Sequence, residues 1–161
     1  MWFYCKNGMT KSVERMLSMR NIDIEASSKW LGRDGLTCLQ IAVVSCRIDI
    51  FKLLIEKGAN LEANDSDGFT PLYWAVISLN IEMVQFLCDL GANIDVRDEI
   101  GRTPFYIAVL SDNLPIVKEL IERKADVNAR DDYGQTALGF AKRYKKVPEM
   151  INYLISIGCI E

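Results

Sequence analysis

The fold class the sequence predicts is an all-α repeat solenoid, a stack of helix-turn-helix units with projecting hairpin fingers. Three observations predict it. The hexapeptide Thr70-Pro71-Leu72-Tyr73-Trp74-Ala75 recurs as Thr37-Cys38-Leu39-Gln40-Ile41-Ala42, Thr103-Pro104-Phe105-Tyr106-Ile107-Ala108 and Thr136-Ala137-Leu138-Gly139-Phe140-Ala141, each copy 33 residues from the last. A fixed period in that range marks units that bury their apolar faces on one another. Three of the copies follow an Asp-x-x-Gly turn, at Asp65 with Gly68, Asp98 with Gly101 and Asp131 with Gly134. Downstream of each copy runs an apolar stripe of helical spacing, as in Met83, Val84, Leu87 and Cys88.

Turn, Thr-Pro-Leu-x-x-Ala and stripe at this period resemble the ankyrin repeat, and the resemblance covers nearly the whole chain. It implies an ankyrin-repeat stack of five units, approximately 1-31, 32-64, 65-97, 98-130 and 131-161, in a single domain spanning 1-161. It also implies a concave, ligand-facing surface formed by the finger tips and the outward side of each first helix.

Taken in order, the first unit is recovered at an offset of 37 residues, aligning Cys5 with Ala42 and Val13 with Ile50, and it lacks its opening turn. Four extra residues between Ala26 and Gly35, within Ser27-Ser28-Lys29-Trp30-Leu31-Gly32, lengthen the first finger. In each full unit the threonine caps the first helix and proline suits its first turn, having a preset φ and no N–H to lose. Thr10, Asn80 and Asn113 are the expected N-caps of second helices, whereas Arg47 at the same position cannot cap. Asn21, Gly58, Gly91 and Gly158 suit the left-handed residue that ends a helix, and Lys124 breaks that rule. One extra residue in the last unit separates its helices by Lys142-Arg143-Tyr144-Lys145-Lys146-Val147-Pro148. The family's usual histidine after Thr-Pro-Leu is Gln40, Tyr73, Tyr106 or Gly139 here, so its hydrogen bond to the preceding unit is lost or remade. Tyrosine hydroxyls can restore it and Gly139 cannot, which makes the last unit the loosest.

Composition removes several functions. The chain of 161 residues has no histidine, which excludes Ser-His and Cys-His nucleophile arrangements. Five cysteines, Cys5, Cys38, Cys46, Cys88 and Cys159, show no Cys-x-x-Cys spacing, so neither metal nor cofactor is expected, and they read as small core residues in a reducing compartment. No glycine-rich phosphate loop is present, and the adjacent acids Asp65, Asp67, Asp131 and Asp132 read as turn builders before they read as paired catalytic carboxylates. Formal net charge is -3 with a sequence pI near 5.1, which disfavours nucleic acid and anionic membrane as the main partner. The opening Met1-Trp2-Phe3-Tyr4-Cys5-Lys6 lacks a basic leader, and no run of about 18 apolar residues occurs, so secretion and membrane spanning are disfavoured.

What remains is a non-enzymatic protein-protein interaction module, an adaptor, scaffold or inhibitor, expected as a monomer in the cytoplasm or nucleus with another protein as partner and no small-molecule substrate. A small kinase-inhibitor-like ankyrin protein, or the interaction module of a larger enzyme or channel, is the alternative. Outward positions of consecutive units give the candidate contact strip: Leu36, Phe69, Ile77, Ile100, Arg102, Leu110 and Tyr133. Val44, Ile77 and Leu110 either bind or pack on each other, and Trp30 either caps the first unit or anchors a partner. The Lys142 to Lys146 segment is either a solvated loop or a site for an acidic partner, nucleic acid or import receptor. Asn128 sits in a context similar to that of hydroxylated asparagines in ankyrin repeats, although Glu62 and Asp95 occupy its equivalent positions.

Overall fold

A computed structural model describes residues 1–19, 21–30 and 33–161, the side chains of 28–30 and 33–34 excepted. Among these residues ten helices pack as five consecutive pairs: α1 (Trp2–Lys6) with α2 (Thr10–Leu17), α3 (Cys38–Val44) with α4 (Ile48–Glu56), α5 (Pro71–Ile77) with α6 (Ile81–Asp89), α7 (Pro104–Leu110) with α8 (Leu114–Glu122), and α9 (Ala137–Arg143) with α10 (Pro148–Ser156). First helices stack on first helices from α1 through α9, and second helices on second helices. The core is therefore one continuous apolar column from Cys5 to Cys159.

The local chemistry of each helix explains its limits. Thr37, Thr70, Thr103 and Thr136 each accept the N–H three residues on, and proline follows at the first position of α5 and α7. Asn80 and Asn113 cap α6 and α8 as the sequence predicts. Thr10 does not cap α2; it is the first helical residue after Met9, because the turn Asn7-Gly8-Met9 closes one residue earlier. Arg47 caps nothing and instead donates from Nε to the Lys6 carbonyl at 3.2 Å, tying α1 to the second pair.

Two left-handed turns recur in the units. Gly58, Gly91 and Gly158 end their helices at φ 84–86°, and Lys124 is held at φ 67° in the same role. Between paired helices Cys46, Leu79, Asp112 and Lys145 stand at φ 50–56°, a conformation that costs a side-chain-bearing residue about 1 kcal/mol. Cys46 is thereby turned outward and accepts from Asn80 Nδ2 at 3.0 Å, so it is not the core residue the sequence suggested; Cys5, Cys38 and Cys159 are. All five cysteines are free thiols.

Among the described residues only the lengthened first finger pairs as strands, β1 (Ser28–Trp30) with β2 (Arg33–Leu36), antiparallel with Ser28 opposite Leu36. The second, third and fourth are tight turns closed by two backbone bonds each, Asp65 N–H to Phe69 O with Gly68 N–H to Asp65 O, Asp98 N–H to Arg102 O with Gly101 N–H to Asp98 O, and Asp131 N–H to Gln135 O with Gly134 N–H to Asp131 O. The fourth adds a single antiparallel bridge between Arg130 and Thr136. In each turn the aspartate carboxylate accepts the N–H groups that a second strand would otherwise satisfy.

Candidate functional site

The fingers are built by three buried aspartates. Asp65 Oδ1 accepts from the N–H of Asp67 and Phe69 at 3.1 and 2.9 Å, and its Oδ2 accepts from Trp74 Nε1 at 3.0 Å. Asp131 Oδ1 takes the N–H of Tyr133 and Gln135 at 3.0 and 2.8 Å. Asp98 holds the largest set: the N–H of Ile100 and Arg102 on Oδ1, and the Tyr73 hydroxyl and Arg102 Nε on Oδ2 at 2.7 and 2.8 Å. Burial opposes its charge, but these donors outweigh it and hold the Asp98 carboxyl below the usual carboxylate range. Burial, reinforced by that carboxylate, pushes the Tyr73 hydroxyl well up. These acids are committed to their own turns and, at Asp98, to Tyr73 of the preceding unit.

Neighbouring units are also laced together along the finger bases. Glu25, Glu62, Asp95 and Asn128 each accept a backbone N–H of the following unit, from Asn60, Asn93, Asp126 and Ile160 at 2.7–2.9 Å. Asn128 is one rung of this ladder and is half-buried. Arg97 and Arg130 add bonds to the carbonyls of Gly101 and Arg130, and of Gly134 and Glu161. Three of the acceptors, Glu62, Asp95 and Asn128, stand 33 residues apart and Glu25 aligns at the longer first offset of 37, a periodicity that could have shown the ladder.

At the histidine position the bonds are remade, and their direction reverses the sequence expectation. Gln40, fully buried, accepts the Thr37 N–H at 2.8 Å and donates to the carbonyls of Ala63 and Phe69 at 3.0 and 2.6 Å. Its amide thus closes a Thr-x-x-Gln capping box and reaches forward to the next finger, a signal present in the sequence but not used. Tyr73 reaches forward to Asp98, and Tyr106 to Gln135 Oε1 at 3.3 Å. Gly139 makes no such bond.

Of the candidate contact residues, two face inward. Leu36 is 1% exposed and Phe69 is 7% exposed, its ring stacked on Tyr73 at 4.5 Å and set edge-on to Trp74 at 5.6 Å. At Leu36 and Phe69 the chain turns back onto the helices after the turn glycine, so these two side chains pack into the finger base. Arg102 is half-buried in its ion pair with Asp98 at 2.8 Å, and Ile100 is half-buried with its carbonyl accepting from Asp132 N–H. Ile100 and Arg102 still line a cleft of about 210 Å³ between the second and third fingers, shared with Asp67, Phe69, Asp98 and Glu99. Leu110 is half-buried, Ile77 is 36% exposed, and Tyr133 stands out at 80%. The Trp30 side chain lies outside the described residues.

In the basic segment the structure separates paired from unpaired cations. Lys142 pairs with Glu161, and Lys146 with Asp112 at 3.1 Å. Tyr144 stacks on Phe140 at 4.4 Å with the Arg143 guanidinium 5.9 Å from its ring centre, an aromatic arrangement that a single tyrosine in the sequence did not reveal.

A family model described as ankyrin repeats in three copies matches residues 1–98 and 90–160. The chain belongs to the ankyrin-repeat family. Repeats of this family are generally protein-protein interaction modules and typically not enzymes. No curated protein matches the chain at significance. Among the described residues no helix is long and apolar enough to cross a membrane, and no group of three or more metal-ligating side chains is assembled.

Proposed function

We propose that this ankyrin-repeat protein is a non-enzymatic binding module, an adaptor, scaffold or inhibitor acting inside the cell in the cytoplasm or nucleus, and that a protein partner lies along its concave groove and finger tips. The contact strip is Ile77, Ile100, Leu110 and Tyr133, with Arg102 at the cleft between fingers. Leu36 and Phe69 support the strip from beneath. The observation that carries this reading is Tyr133. Its backbone is fixed by the N–H bond to Asp131 while its ring is 80% exposed, so an aromatic anchor is held out in advance with little ordering cost left for binding. Such anchors carry most of the affinity in protein interfaces, about 2 kcal/mol or more apiece on truncation.

The test is affinity capture from cell lysate, read by quantitative mass spectrometry, with wild-type protein against the double variant Tyr133→Ala and Ile77→Ser. Partners through the groove should fall at least tenfold while circular dichroism stays unchanged. Equal capture by both proteins would overturn the groove reading.

A further inference from the structure

A stack of like units reads each position several times, so a unit that departs from the others is set beside its own controls. At the last turn of the first helix the aliphatic column Val44, Ile77, Leu110 ends in Arg143, and the serine column Ser45, Ser78, Ser111 ends in Tyr144. The next position adds Lys145. Helix packing does not require these changes, because both Arg143 and Tyr144 are exposed, Tyr144 at 59%. Lys145 is exposed too, on a left-handed turn that the other units form with Cys46, Leu79 and Asp112. The flanking cations Lys142 and Lys146 have their carboxylates, whereas among the described residues Arg143 and Lys145 have none. Two unneutralised cations therefore flank an aromatic ring that is braced from behind by Phe140.

We infer that the last unit receives the acidic end of the bound protein segment: its carboxylates meet Arg143 and Lys145 beside Tyr144, and its apolar side chains lie on Leu110 and Ile77. This deepens the groove reading above and rests on it. Charge favours an acidic peptide over a nucleic acid. Among the described residues of the Lys142 to Lys146 segment only Arg143 and Lys145 lack a carboxylate, the formal net charge of the chain is -3, and the exposed Glu99 and Asp132 at the finger tips would repel a continuous phosphate backbone. Spacing constrains the segment further. Packed helices lie about 8–10 Å apart, and a polyproline II chain repeats every three residues with about 3.1 Å rise per residue, placing side chains i and i+3 on one face about 9 Å apart. A segment with apolar residues three apart and acids three residues beyond matches the column.

The test is fluorescence anisotropy with labelled peptides bearing two leucines three residues apart and two adjacent glutamates three residues further, made in both chain directions. Counterparts carry glutamine for glutamate, and an oligothymidylate serves as the competing polyanion. One direction of the glutamate peptide should bind roughly tenfold tighter than its glutamine counterpart, as two exposed charge contacts allow. Arg143→Glu with Lys145→Glu should erase that difference without changing circular dichroism, and Ile77→Ser should weaken both peptides alike. If glutamate and glutamine peptides bind equally while Ile77→Ser weakens both, the acidic assignment falls and the groove reading stands. Absence of binding by every peptide overturns the acidic assignment, and so does displacement by oligothymidylate at equal charge.

Discussion

Two tyrosines 33 residues apart, Tyr73 and Tyr106, make the same kind of forward bond to the next finger with different partners, so one substitution made twice separates their energetics. The Tyr73 hydroxyl donates at 2.7 Å to a buried carboxylate, whereas Tyr106 donates at 3.3 Å to the Gln135 amide oxygen, with the Asp131 carboxylate a further, weaker partner beside it. A hydrogen bond to a charged group contributes about 1.5–3 kcal/mol against about 1 for a neutral one. Removing the Tyr73 hydroxyl leaves Asp98 with the Arg102 guanidinium and two backbone N–H groups, so the carboxylate is not orphaned and the loss belongs near the lower end of its range. Tyr73→Phe should therefore cost about 1.5–2 kcal/mol. Tyr106→Phe should cost less, about 0.5–1 kcal/mol, its bond to the amide being long and Asp131 only a weaker second partner. Both aromatic rings are kept, so packing is held constant. Urea unfolding followed by circular dichroism at pH 7 reads the two midpoints directly. A Tyr106→Phe loss equal to or larger than that of Tyr73→Phe would refute the reasoning that the charged acceptor makes the difference.

The same pair supplies a pH signature: because the folded Asp98 pKa is depressed, its stabilisation is complete above the unfolded value of about 3.9 and is lost as pH falls through the folded value. The gap between wild type and Tyr73→Phe should accordingly be constant from pH 7 to pH 5 and shrink below about pH 4 in urea titrations; a gap that widens in acid would contradict it. Phe69→Ala should cost about 3 kcal/mol or more because its ring is buried against Tyr73 and Trp74, whereas Tyr133→Ala should change stability by under about 0.5 kcal/mol; thermal melts decide, and the reverse order would mean the two positions are misplaced. Gly139→Ala should stabilise by about 0.5–1 kcal/mol, since the residue is helical and an added Cβ meets Thr136 Oγ1 only at 3.4 Å. It should also slow amide exchange in residues Ile151 to Ile155, which in wild type should exchange faster than Met83 to Leu87; unchanged rates there, or slower exchange at Ile151 to Ile155 than at Met83 to Leu87, would remove the case for a loose last unit.

Most of the fold was legible because repetition turns one weak local pattern into several aligned copies. Threonine caps, the apolar stripes and the left-handed glycines each recur at the unit period, and every recurrence constrains the same helix pair. The finer failures have a common cause, which is that sequence position does not tell which side of a tight turn a side chain leaves from. Leu36 and Phe69 follow turn glycines and were read as outward, yet the chain turns back there and drives them under the finger. Arg102 stays at the cleft between fingers, but nothing local in the sequence shows that Asp98, four residues earlier, also holds it in an ion pair. For Gln40 the missing information is long-range. Its role needs the carbonyls of Ala63 and Phe69, more than 20 residues away, although the capping-box half of that role was visible. Tyr144 gains its platform only when Phe140 comes to lie one helical turn before it with its ring stacked.

The account rests on partner binding through the concave face, and hydrogen exchange of the protein with and without a captured partner tests that face directly. It predicts slowed exchange at the ends of α5, α7 and α9, near Ile77, Leu110 and Arg143, and at the finger turn around Tyr133, with the exposed sides of α4, α6 and α8 unchanged. Protection confined to those second helices would place the partner on the opposite surface and contradict the account.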